Sequence, residues 1–465
     1  MQQTFRVILI LLLLFFGSRA MTAWAVEESL DFGRFGEVTI YRESPTPSHV
    51  VLFVSGDGGW NLGVVDMARS LAAMDTLVVG IDITRYLKET GRAQENCTYW
   101  AADFEELSHY VQKRLNLPRY LPPVLVGYSS GATLVYATLI QAPAGTFAGA
   151  ISLGFCPDLT LPRPPCEGAG LVWQRGEKQH EYLFQPKPEL AAPWVVLQGE
   201  IDQVCDPAAT KRFAGAIGNA ELITLPKVGH GFGVQSNWLP QFRAAFQRMV
   251  AVPVQSPSAQ AVADLPLKEV PAATSAKTMA VMVSGDGGWA GLDRDLAAAL
   301  AGKGVNVVGV NSLQYFWHRR TPAEAAHDLE RILVHYADKW QPERIVLVGY
   351  SMGAEVLPFM VSRLPADLAQ KIDLLALLAP GPDADFEIHV ANWFGLGKQS
   401  GTWPVAAEIA KLTLPKVLCF YGSRDRETVC PTLDRHHAQP IELGGGHHFG
   451  GASETIATQI LGALP

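Results

Sequence analysis

An α/β architecture of two tandem units, each built on a mostly parallel sheet, is what this 465-residue sequence predicts. Three observations carry it. Apolar runs of strand length alternate with helix-compatible segments along the chain, the pattern of a parallel sheet covered on both faces. The run Ile345-Val346-Leu347-Val348 enters Gly349-Tyr350-Ser351-Met352-Gly353, a G-x-S-x-G turn, and a helix-compatible segment over 354–364 follows. A buried strand that ends in such a turn exposes the serine hydroxyl at its tip, the nucleophile elbow of an α/β-hydrolase. Finally, the pattern occurs twice: Gly127-Tyr128-Ser129-Ser130-Gly131 repeats the turn in the first half.

The elements follow in order. Arg6, the apolar stretch 7–16 and the small residues of Ala23-Trp24-Ala25 have the layout of an export signal cleaved near Ala25. The apolar stretch falls short of the ~20 residues a membrane span needs. Residues 26–250 then read as the first hydrolase-like unit, 251–276 as a Pro/Ala/Ser-rich linker, and 277–465 as the second unit. In the first, Val50-Val51-Leu52-Phe53-Val54 ends in Ser55-Gly56-Asp57-Gly58-Gly59-Trp60. In the second, a strand over 279–283 ends in Ser284-Gly285-Asp286-Gly287-Gly288-Trp289. A helix (64–74; 292–303) and a strand (76–81; 305–310) follow each loop. Matched points drift slowly between the halves, as in a duplication with loop deletions.

Composition narrows the function. Hydrophobic residues make up 48% and charged residues 18% of the chain, and the formal charge is −8, which argues against a nucleic-acid partner. The six cysteines (Cys97, Cys156, Cys166, Cys205, Cys419, Cys430) form an even set in an exported chain, so disulfides are allowed. No C-x-x-C points to zinc or redox chemistry. Cys419 and Cys430 are the only pair in the second half, and their union is the favoured one.

An α/β-hydrolase presents its serine, then an acid, then a histidine along the chain. Ser351 is followed by Asp425 in Gly422-Ser423-Arg424-Asp425 and by His447 in Gly446-His447-His448-Phe449-Gly450. Glu427, in the same turn as Asp425, is a substitute acid. The chemistry needs these types: a serine hydroxyl does not ionise near neutral pH, so an imidazole takes its proton and a carboxylate orients and stabilises the imidazolium. Ser129, Asp202 and His230 repeat the order in the first half. Aligning G-H-x-F-G across the halves pairs His230 with His447 rather than His448. The S-G-D-G-G-W loops occupy the place of half an oxyanion hole, with the backbone amides of Asp286 and Met352, and of Asp57 and Ser130, as donors. No metal ion or cofactor is called for.

With these residues laid out, the second half resembles the bacterial virulence-protein family of VirJ and AcvB. The resemblance runs over 278–464 and rests on the 283–289 loop, on Gly349-Tyr350-Ser351-Met352-Gly353-Ala354-Glu355-Val356-Leu357-Pro358-Phe359, and on Gly446-His447-His448-Phe449. Two units behind a signal are similar to the AcvB-type members. The resemblance implies a periplasmic serine hydrolase of aminoacylated phospholipid, notably lysyl-phosphatidylglycerol, with contacts to the inner-membrane surface and to secretion-system proteins. Two rivals stand beside it: a non-catalytic adaptor for type IV secretion substrates, and an esterase or thioesterase for an unrelated acyl group.

The halves differ at the elbow. Glu355 matches Thr133, and Pro358 matches Tyr136. The first half therefore has two readings, a second active site of other selectivity or a decayed copy serving structure and binding. Glu355, one helical turn after Ser351, is the candidate substrate-binding residue for a cationic group. Long segments over 158–192 and 383–414 read as lids. The second carries Phe386, Trp393, Phe394 and Trp403, which suit either an acyl contact or packing of the lid on the core.

Overall fold

The computed structural model describes residues 26–251, 262–273, 276–389 and 403–464. The signal-like segment, most of the first half of the linker, and Trp393 and Phe394 lie outside these residues. No helix among the described residues is long and apolar enough to cross a membrane.

The first unit contains strands β1 (Val26–Phe32), β2 (Gly36–Arg42), β3 (His49–Val54), β4 (Thr76–Ile81), β5 (Val124–Tyr128), β6 (Gly149–Leu153), β7 (Asp158–Thr160), β8 (Trp173–Arg175), β9 (Glu181–Phe184), β10 (Trp194–Gly199) and β11 (Ala220–Leu225). Eight of them form one sheet in the order β1-β2-β4-β3-β5-β6-β10-β11. From β4 to β11 all neighbours are parallel, and β1 and β2 close one edge antiparallel. The second unit contains β12 (Leu267–Val270), β13 (Thr278–Val283), β14 (Val305–Val310), β15 (Arg344–Tyr350), β16 (Ile372–Leu378), β17 (Asp383–Ala384), β18 (Trp403–Pro404), β19 (Val417–Gly422) and β20 (Gln439–Leu443). Its sheet runs β12-β14-β13-β15-β16-β19-β20, parallel except at β12.

The central strands are buried along their length because helices cover both faces; β3, β4, β6 and β10 are buried at nearly every position. This is why they read as continuous Val/Ile/Leu runs rather than as alternating patterns. Each sheet thus separates two apolar layers, one on either face.

One expectation changes here. Part of the segment read as a linker belongs to the second unit: β12 pairs with β14, and Val262 and Leu265 are buried in that unit's core. The four residues Leu-Lys-Glu-Val are too short and too polar to announce an edge strand, which only neighbour pairing fixes. The segment over 158–192 also forms more than a loop, since β7, β9 and β8 make a small antiparallel sheet.

The units dock through Trp317 of the second, which is 1% exposed. Its indole Nε1 donates to Leu117 O of the first unit at 3.1 Å, and its carbonyl accepts from Lys113 Nζ at 2.6 Å. Tyr120 packs beside its ring, and Lys113 also pairs with Glu387 at 3.2 Å. Replacing a buried aromatic by alanine costs about 3–5 kcal/mol. Trp317→Ala is therefore expected to lower the urea midpoint substantially, as measured by equilibrium denaturation of the whole chain.

Candidate active sites

Both serines sit where a central strand gives way to a helix. Ser351 lies between β15 and the helix Met352–Val361 with φ 50° and ψ −120°; Ser129 lies between β5 and the helix Ser130–Gln141 with φ 56° and ψ −123°. Side-chain-bearing residues rarely adopt such angles, and the sharp reversal they produce is what lifts the hydroxyl out of the backbone. The flanking glycines answer to space. A Cβ on Gly353 would lie 2.0 Å from Val283 O, and one on Gly349 would lie 2.5 Å from Gly353 O. The helix can start this close to the sheet only without those carbons.

In the second unit His447 Nε2 lies 3.0 Å from Ser351 Oγ, and His447 Nδ1 lies 2.9 Å from Asp425 Oδ2. The Asp425 side chain is 4% exposed. Its other oxygen accepts the backbone N–H of Glu427 at 3.1 Å, so Glu427 supports Asp425 through its main chain while its own side chain stays exposed. His448 turns elsewhere, with Nδ1 2.5 Å from Tyr350 Oη.

The first unit brings together the equivalent set. Ser129 Oγ lies 2.9 Å from His230 Nε2, and His230 Nδ1 lies 2.9 Å from Asp202 Oδ2. Asp202 accepts from Val204 N (2.8 Å), Cys205 N (2.9 Å) and Gln198 Nε2 (3.0 Å). Burial pushes its carboxyl up, but the hydrogen bonds from Cys205, His230 and Val204 outweigh that and hold it below the usual range. Gln198 was not foreseen. Its signal was a lone amide inside the apolar strand Trp194–Gly199. Asp202, Cys205 and His230 lie as close together as metal ligands would, yet the Cys205 sulfur is spent in a disulfide.

Cys419 pairs with Cys430 as favoured, and Cys156 with Cys205 and Cys97 with Cys166 complete the set. Cys419–Cys430 brackets the loop of Asp425, and Cys156–Cys205 ties the loop of Asp202 to the chain beyond β6.

The S-G-D-G-G-W loops lie against the serines. A Cβ on Gly56 would come within 2.9 Å of Ser129 Cβ, and one on Gly285 within 3.6 Å of Ser351 Cβ. Ser130 and Met352 open their helices, where backbone N–H groups have no intrahelical acceptor. Asp57 and Asp286 stand at the same point of the two loops.

Around Ser351 the surroundings are acidic. Glu355 Oε1 accepts Gly381 N at 3.1 Å. Burial pushes its carboxyl up to about 7, and Asp286, Asp385 and Asp383 add to the rise against the pull of Gly381. Asp293, 2% exposed, receives Gly285 N at 3.4 Å on one oxygen, and burial drives it well above the usual carboxylate range. No sequence signal marked Asp293, which sits beside Arg294 and Asp295 and reads as one more solvated helix charge. Phe386, 3% exposed, packs against Phe316 and Phe359, so this aromatic of the lid segment serves the core; Trp403 packs on Phe359 and stays 38% exposed.

A mostly parallel sheet with a serine elbow on a central strand and histidine and aspartate on later loops defines an α/β-hydrolase fold, present here twice. The model of the bacterial virulence protein (VirJ) family matches residues 48–149 and 277–465, and the chain belongs to that family. The match reaches into the first unit but stops before Asp202 and His230. Among solved structures, an α/β serine hydrolase without a lid from Xanthomonas campestris is 22% identical, with 49% of this chain and 97% of that chain covered and a TM-score of 0.32. The esterase domain of a Rhodothermus marinus protein is 15% identical, with 49% and 100% covered and a TM-score of 0.33. A thioesterase domain from the curacin biosynthetic pathway is 16% identical, with 42% and 94% covered and a TM-score of 0.29. No curated protein matches the chain.

All six cysteines are paired, which sets a simple check. Alkylation of the oxidised protein under denaturing, non-reducing conditions is expected to modify none of them. Peptide mapping is expected to recover Cys156 linked to Cys205.

Proposed function

We propose that the second unit is a serine esterase that hydrolyses a cationic aminoacyl ester, with lysyl-phosphatidylglycerol at the outer face of the inner membrane as the substrate. The observation that carries the reading is the relay from Ser351 through His447 to Asp425, at 3.0 and 2.9 Å. The lysyl lipid and the periplasm rest on the family and on the three disulfides, which suit an oxidising compartment.

The chemistry runs as follows. Ser351 Oγ attacks the ester carbonyl while His447 Nε2 takes its proton, and Asp425 holds the Nδ1–H and stabilises the imidazolium. The backbone amides of Met352 and Asp286 receive the developing oxyanion. The glycerol oxygen leaves with the proton from His447. Water, deprotonated by the same imidazole, then frees lysine from Ser351. Glu355, with Asp286, Asp383 and Asp385 near it, supplies negative charge for the lysyl ammonium, a role Thr133 could not fill.

Two outcomes test this. Ser351→Ala is expected to fold normally and to lose about 10,000-fold in kcat/KM on a lysyl ester, since triad members act as a unit. Separately, the ratio of kcat/KM on lysyl over neutral esters is expected to rise as pH passes upward through about 7. Glu355 gains its charge there, while an ε-ammonium with a pKa of about 10.4 keeps its own. Glu355→Gln is expected to flatten that ratio, and equal losses on both esters would make Glu355 a support of the elbow only.

A further inference from the structure

We propose that the first unit holds a second, independent hydrolytic centre, built on Ser129, His230 and Asp202, which takes esters of small neutral acyl groups.

A copy kept only for structure would have no use for a strained serine or a clamped acid. Ser129 holds the same disfavoured backbone angles as Ser351. Strain of this kind costs about 1–3 kcal/mol and persists only where the surroundings enforce it. A copy serving only as scaffold would gain stability by relaxing it. The acid is held more firmly than its counterpart: Asp202 is fully buried at its side chain and accepts from Val204, Cys205, Gln198 and His230. The bonds found for Asp425 come from Glu427 and His447. The Cys156–Cys205 bridge clamps the loop that carries Asp202. The position of His230 is fixed a second way, since Tyr128 Oη donates to its carbonyl at 2.9 Å.

The space above Ser129 is open. A pocket of about 450 Å³ is lined by Ser129 and His230 together with Val64, Met67, Val204, Gly56 and Asn61. Its size suits a small acyl group and part of its alcohol. The charge differs from that of the second unit in two matched places. Thr133 replaces Glu355 and gives its hydroxyl to Cys156 O at 2.6 Å, and Val64 replaces Asp293. Among the residues that line this pocket, the carboxylate is Asp57, which is exposed. A cationic acyl group would lose its hydration here without a buried partner, whereas a neutral one loses little. Within the first unit the family match covers residues 48–149, and so neither Asp202 nor His230.

The step balances without a cofactor. Ser129 Oγ bonds to the acyl carbon as its proton passes to His230 Nε2, the carbon–oxygen bond to the alcohol breaks, and the alcohol leaves with that proton. Water then adds to the acyl-serine, its proton passing through His230 back to Ser129 Oγ as the carboxylic acid departs.

The test uses the full-length chain in three forms: Ser351→Ala, Ser129→Ala/Ser351→Ala, and His230→Gln/Ser351→Ala, each checked for folding by circular dichroism. A fluorophosphonate probe is expected to label Ser351→Ala at one equivalent, mapped to the peptide carrying Ser129, and to label neither double variant. Hydrolysis of p-nitrophenyl butyrate by Ser351→Ala is expected to exceed that of both double variants by at least about 100-fold. No labelling of folded Ser351→Ala, together with butyrate hydrolysis no faster than in the double variants, would overturn the proposal. Failure of the wild type to cleave a lysyl ester would bear on the second unit alone, because this readout is taken with Ser351 removed.

Discussion

Ser351 is held at φ 50° by contacts on three sides, and most of the second unit's architecture is arranged to make that possible. Its N–H donates to Leu378 O on β16, and its carbonyl receives the N–H of Ala354 and Glu355 in the helix that follows. The glycines on either side let that helix press against β13 and β15. Ser129 repeats the scheme through Leu153 O on β6. A disfavoured conformation worth about 1–3 kcal/mol survives because buried parallel strands on both sides leave the turn nowhere to relax. The reward is geometric: the hydroxyl emerges at the carboxyl end of the sheet, where the loops after β10 and β11, or after β19 and β20, bring the acid and the histidine.

Given two such turns, the difference between the sites is electrostatic. The second sets Glu355, Asp286, Asp293, Asp383 and Asp385 around its elbow, and burial makes ionisation of two of them, Glu355 and Asp293, costly. Charge of that kind is stable only with a cation present or a proton bound. The first unit has Thr133 and Val64 in place of Glu355 and Asp293, and its acid loop is held by Gln198 and the Cys156–Cys205 bridge. This difference is what supports the two proposed selectivities, a charged acyl group at Ser351 and a neutral one at Ser129.

The sheet strands and elbow turns were legible because they depend on local pattern. Continuous apolar runs followed by glycine have few alternatives, and the strand over 305–310 appears with those bounds. The meeting of Ser351, Asp425 and His447 was legible from chain order, since the fold fixes where each loop emerges. Glu427 could not be separated from Asp425 in the sequence, because both occupy one turn and only the backbone path decides which side chain enters. Strand β12 was missed for a related reason: an edge strand of four residues is defined by its neighbour, not by its own composition. The Cys97–Cys166 and Cys156–Cys205 pairings were equally beyond sequence, as four cysteines in one unit allow three connectivities. Asp293 carried no signal, because burial of a helix aspartate is a property of the packing around it.

The central claim is that Ser351 forms a covalent bond to an aminoacyl group. Rapid acid quenching of wild type during turnover of a lysyl ester, followed by peptide mapping, tests it most directly. The account predicts a lysyl group on the peptide that contains Ser351. Turnover that leaves no acyl group on Ser351, or that places it on another residue, would contradict it.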